Sequence, residues 1–138
     1  MTEVTLDVAT EIIEASENHV GESDVPPMCI AVMDEGGNLV GFHRMDGALL
    51  ASIDIAQNKA YSAVSLKLDT ETIHEASQPG ESLYGIGETN DGRIITFGGG
   101  LPLEDDEGTV VGGIGVSGGS VEEDVEVAHA GLEAFENG

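Results

Sequence analysis

Four cations stand against 27 carboxylates in this 138-residue chain, and all four, Arg44, Lys59, Lys67 and Arg93, lie between positions 44 and 93. Three of them sit in local motifs: Arg44-Met-Asp-Gly, Asn58-Lys-Ala-Tyr and Gly92-Arg-Ile-Ile-Thr-Phe-Gly-Gly-Gly. On a negative surface, a guanidinium or ammonium is the natural partner of an anionic ligand. Arginine offers a planar fork that matches a carboxylate or phosphate, and lysine offers a point charge. Asp46 can cap a following helix or fix Arg44 as a bidentate pair. Lys59 can run its stem along an apolar face and leave its head free, with Tyr61 two residues on. The Gly98, Gly99 and Gly100 run can expose backbone amides to an anion, or simply form a tight turn. Convergence of Arg44, Lys59 and Arg93 near that turn would make a carboxylate receptor.

Other chemistries lack their signatures. The glycine run has no Walker lysine and opens no βαβ unit. Ser117-Gly-Gly-Ser has no strand–serine–helix elbow and no spaced histidine base. The four histidines show no metal-binding pair spacing. Glu122-Glu123-Asp124 reads as first-turn charge favouring a helix dipole. Cys29, the only cysteine, excludes an internal disulfide, fits a reducing cytoplasm and reads as a core residue.

The formal charge is −23. Acids spread along the whole chain fit a protein kept soluble in molar salt, where repulsion is screened within about 3 Å. Binding nucleic acid needs a basic stripe, which four cations cannot supply. Anionic membranes are disfavoured for the same reason. No signal segment and no spanning stretch is legible, so a cytoplasmic location is expected.

Elements that would position these residues follow from periodicity. One domain over residues 1–138 is expected from the length. An amphipathic helix spans residues 5–20, capped by Thr5. Apolar runs at 28–33 and 39–45, split by Asp34-Glu-Gly-Gly-Asn38, predict a hairpin. A long helix with a small-residue face covers 48–66, and a short one covers 70–77. Strands are predicted at 93–97, 101–103 and 109–117, the last alternating valine or isoleucine with glycine, as a closely approached backbone requires. Ser120-Val-Glu-Glu123 is a capping box opening the final helix. The order α-β-β-α-α-β-β-β-α predicts a mixed α+β (α/β) class with a mainly antiparallel sheet.

Several segments together resemble one family. Ala31-Val-Met-Asp-Glu-Gly-Gly-Asn, Phe42-His-Arg-Met-Asp-Gly-Ala, Ser52-Ile-Asp-Ile-Ala-Gln-Asn-Lys-Ala-Tyr, Phe97-Gly-Gly-Gly-Leu-Pro-Leu and Gly112-Gly-Ile-Gly-Val-Ser-Gly-Gly resemble the GlcG/HbpS family, which includes the C-terminal domain of PduO-type corrinoid adenosyltransferases. The resemblance runs from the first helix to the last. It implies a profilin-like fold, a central five-stranded antiparallel sheet with helices on both faces. It also implies a small-molecule binding module, with haem or another tetrapyrrole the named candidate, and a homo-oligomer between dimer and octamer. Enzyme or enzyme-accessory work in glycolate or corrinoid metabolism is the alternative. The expected ligand residues are Arg44, Asp46, Lys59, Tyr61, Arg93 and Gly98–Gly100. His43, inside a matching motif, is the candidate axial ligand for haem iron, a role that methionine or tyrosine can also fill.

Overall fold

The computed structural model describes residues 3–138. Helix α1 (Leu6–Glu22) starts where Thr5 Oγ1 accepts the Val8 amide at 3.2 Å. It buries Ala9, Ile12, Ile13, Ser16 and Val20 on one stripe. Strands β1 (Cys29–Asp34) and β2 (Leu39–Arg44) form the expected hairpin. Its loop is shaped by Asp34, whose Oδ1 accepts the amides of Gly36 at 2.9 Å and Asn38 at 3.0 Å. Gly37 supplies the positive φ, +75°. Helices α2 (Leu50–Leu66) and α3 (Thr70–Ala76) follow, then two short 3₁₀ turns at Ile86–Glu88 and Asn90–Gly92. Strands β3 (Gly100–Glu104) and β4 (Val110–Ser117) precede α4 (Val121–Glu136).

Antiparallel pairing gives the sheet order β2-β1-β4-β3. Alternation along β1 sends Ile30 and Val32 to a core shared with α1 and α4, and Cys29, Ala31 and Met33 to a core shared with α2. Helices therefore cover both faces. Glycine lets α2 lie directly on β4: a Cβ at Gly115 would fall on the Ala56 carbonyl, and one at Gly113 would come within 2.8 Å of Ala60 O. On the helix side Ala56, Ala60 and Ala63 are all fully buried. The alternating Val/Ile–Gly pattern thus sets the depth of the helix, which fixes where the side chains of α2 emerge.

Four strands make the sheet among the described residues, where five were expected. The missing one is the run at 93–97, apolar enough for a strand but laid across α2. Its polar backbone groups are met by side chains instead of a ladder. Ser62 Oγ accepts the Ile95 amide at 2.8 Å and donates to Arg93 O at 3.1 Å, while the ring of His74 bonds Thr96 O at 2.9 Å. Local hydropathy cannot distinguish these two fates, since both satisfy the backbone.

Candidate functional site

Tyr61 and Arg93 meet. The Arg93 guanidinium carbon lies 3.5 Å from the Tyr61 ring centroid, and its Nε donates to Asn58 Oδ1 at 3.3 Å. Tyr61 hydroxyl accepts from Asn90 Nδ2 at 3.1 Å, and its ring edge lies against Gly37 of the hairpin loop. Stacking fixes the guanidinium in place and leaves donors on its rim for an acid group. Phe42 and Ile53, partly buried like Tyr61, border the same core of Cys29, Ala31, Met33, Ala48, Ala56, Ala60 and Val64. Helix α2 packs mainly over β4, β1 and β3 and barely reaches β2. Phe42, Ile53 and Tyr61 are left only partly buried on this face, a half-apolar shelf on which Arg93 is stacked at Tyr61.

Lys59 lies elsewhere. It is wholly buried, with Nζ donating to Val116 O at 2.8 Å and to Asp124 Oδ2 at 3.0 Å, under the Phe97 ring. Gly99 and Gly100 press on it so closely that a Cβ at Gly99 would come within 2.6 Å of Nζ. Gly98–Gly100 are buried, and the Gly100 amide donates to Thr70 Oγ1 at 2.9 Å. Gly99 therefore packs on the ammonium, Gly100 on the Lys59 carbonyl and Gly98 on Val121 and Val125, so this buried run does not face a solvent-borne anion. Burial lowers the Lys59 pKa from its ordinary value, opposed by the Asp124 charge. Burial raises that of Asp124, opposed by Lys59 and by the Gly119 and Gly118 amides.

Arg44 and His43 leave β2 on opposite sides. His43 Nδ1 is 2.8 Å from Glu17 Oε1 on α1, whereas Arg44 turns back to donate to Ala48 O at 3.1 Å. Period-two alternation forbids neighbouring residues in a strand from sharing a pocket. Asp46 is exposed and does not cap α2, whose N-cap is Leu49. Arg44, Lys59 and Arg93 accordingly engage three separate sets of partners, and the common carboxylate pocket expected of them does not form.

Clefts open on the surface among the described residues. One of about 540 Å³ is lined by Glu3, Val4, Asp34, Glu35, Gly36, Asn38 and Val111, too acidic for an anion. Another, about 320 Å³, lies between Ser77, Tyr84, Gly85, Gly87, Glu88 and Thr96. Sequence reasoning missed Asp124, which looked like one more first-turn charge. Its signal was positional: Asp124 falls on the face of α4 with Val127, Ala128 and Phe135, all buried. Asn58 and Asn90, which frame Arg93 and Tyr61, carried no signal beyond adjacency.

Comparison with known proteins decides the family. The family model described as haem degrading protein HbpS-like matches residues 4–133. The chain belongs to the HbpS-like family. Within it, the chain is 46% identical over 132 residues to a 15.0 kDa protein of the dhaT-dhaS intergenic region of Citrobacter freundii, covering 96% of this chain and 92% of that one. It is 42% identical over 109 residues to corrinoid adenosyltransferase PduO of the same organism, covering 79% of this chain but only 32% of PduO. The solved PduOC:heme complex superposes with a TM-score of 0.90 at 34% identity, covering 96% of this chain and 95% of that one. The motif series in the sequence thus identified the family correctly, and these HbpS-like neighbours share the mixed α+β arrangement.

Proposed function

We propose that this HbpS-like chain binds a planar, carboxylate-bearing tetrapyrrole, haem foremost, on the open shelf between α2 and β2. The single observation behind this reading is the Arg93 guanidinium held at 3.5 Å on the Tyr61 ring, on the face whose core half-buried Phe42 and Ile53 also border. A flat apolar macrocycle suits the shelf, and a propionate suits the rim of Arg93. Tyr61 is the residue there of a type able to ligate haem iron, whereas His43 faces α1. The likeness to a haem-bound relative supports the ligand class. The role is binding and not turnover. The same reading takes residues 1–138 as one profilin-like domain of a homo-oligomer, cytoplasmic and adapted to high salt. Haemin added in molar potassium chloride should give a shifted Soret band with saturation. Arg93→Ala should weaken binding about tenfold, the scale of one charge-assisted contact. An unshifted Soret band, or an unchanged Kd in both Arg93→Ala and Tyr61→Phe, would overturn the site.

A second reading, favoured by the likeness to part of PduO, is an accessory domain for a corrinoid enzyme. Cobalamin binding to the isolated chain, with haemin giving no spectral change, would select it.

A further inference from the structure

We propose that Lys59 is a masked carbonyl-trapping amine: with Phe97 swung aside, its Nζ condenses with a small neutral aldehyde, and Asp124 handles the protons. Nothing in the shelf reading depends on this site, since Lys59 and Tyr61 serve different surroundings of α2.

A lysine is a costly way to fill a core, because well-packed apolar residues of similar volume are often as stable as a buried ion pair. The geometry around Nζ is also incomplete. An ammonium has three N–H donors. Two meet Val116 O and Asp124 Oδ2 at 2.8 and 3.0 Å, while the Phe97 ring centroid stands 5.1 Å from Nζ and Gly99 packs beside it. That ring is 37% exposed, so one side chain separates the amine from solvent. Phe97 belongs to no helix or strand and precedes Gly98-Gly-Gly100, where Gly99 has φ +123°. Glycine there permits the backbone to pass against Nζ and also to rotate.

Proton traffic is provided for. Burial pushes Lys59 down and Asp124 up, so the packed site narrows the gap to transfer of the ammonium proton to the carboxylate 3.0 Å away. Asp124 is held for this by the Gly119 amide at 2.9 Å. The freed nitrogen lone pair attacks the carbonyl carbon, and Asp124 protonates the carbonyl oxygen to give a carbinolamine. Asp124 recovers a proton from the nitrogen and passes it to the departing hydroxyl, which leaves as water while C=N forms. One aldehyde enters, one water leaves, and a protonated imine remains paired with Asp124, with no oxidant or reductant. The substrate class follows from the surroundings. Asp124 and a surface of net charge −23 repel carbonyl acids, and the Gly99 backbone packed against Nζ excludes a bulky chain.

Lys67 is the only other lysine and is exposed, an internal standard within the same molecule. The whole chain in molar potassium chloride is treated with acetaldehyde and sodium cyanoborohydride, digested with a Glu-specific protease and mapped by mass spectrometry. An ethyl adduct on Lys59 should form faster than on Lys67 by about tenfold or more, since the desolvated amine is the reactive form. Phe97→Ala should accelerate labelling of Lys59 and leave Lys67 unchanged, with helical circular dichroism retained. Adducts confined to Lys67 and the α-amine in both proteins would overturn the proposal. Labelling of Lys59 in Phe97→Ala alone would overturn it too, because the native ring would then be a plug.

Discussion

Replacing Lys59 with methionine removes a charge from a fully buried position. The side chains of the pair are 0% and 5% exposed, at 3.0 Å. Deleting one partner of such a pair typically costs about 3–5 kcal/mol, mostly because the other charge stays buried alone. Two features place Lys59→Met at about 3 kcal/mol, the lower end of that range. Methionine fills nearly the same volume, and Asp124 keeps its bond from the Gly119 amide. Asp124→Asn should cost more, about 4 kcal/mol, because the ammonium loses its counter-charge and the one amide oxygen cannot serve both Nζ and the Gly119 amide. The double variant should cost less than the sum by about 2 kcal/mol, the coupling expected of residues in contact. Urea unfolding of all four proteins in fixed molar potassium chloride measures these differences. The sign of the pH effect is also set. A carboxyl with its folded pKa above the unfolded one binds its proton preferentially in the native state. The Lys59→Met penalty should therefore shrink as pH falls through the raised folded value of Asp124 towards the ordinary carboxylate range. A Lys59→Met penalty below about 1 kcal/mol would refute the reasoning, since that is the scale of an exposed pair.

Gly115→Ala should cost about 3 kcal/mol or prevent folding, because the added methyl meets the Ala56 carbonyl and neither backbone can retreat; urea unfolding reads this. Ser120→Ala should cost about 1 kcal/mol, the loss of a cap bond of 3.2 Å to the Glu123 amide, read in the same assay. Dilution from molar to millimolar salt should lower the Tm in a calorimeter, as 27 acids repel one another unscreened. Cys29, fully buried with its thiol pushed up by desolvation, should react with a disulfide reagent only after unfolding.

Much of the fold was legible because local patterns and the tertiary structure agree. The Ser120–Glu123 capping box, the Asp34–Asn38 hairpin loop and the glycine alternation of β4 each state one geometric requirement, and each is met. The run at 93–97 failed because an apolar stretch records burial and not which partner satisfies its backbone; Ser62, distant in sequence, took that place. The site was harder to read for a related reason. Motif spacing put Arg44, Lys59 and Arg93 on one list, but their destinations depend on strand alternation, helix phase and the depth at which α2 sits. Lys59 and Tyr61 stand only two positions apart on α2, enough to turn one into the core and leave the other beside Arg93. Asp124 was hidden among acids because charge count says nothing about which carboxylate faces inward.

Backbone amide spectra of the isotopically labelled chain in molar potassium chloride, with and without ferric haemin, test the shelf most directly. Paramagnetic broadening should centre on residues 58–61, 90–93 and the neighbouring part of β2. Broadening centred instead on His19, Glu17 and Glu126, on the α1–α4 side, would place the ligand on the opposite face of the sheet and contradict the binding site argued for Arg93 and Tyr61.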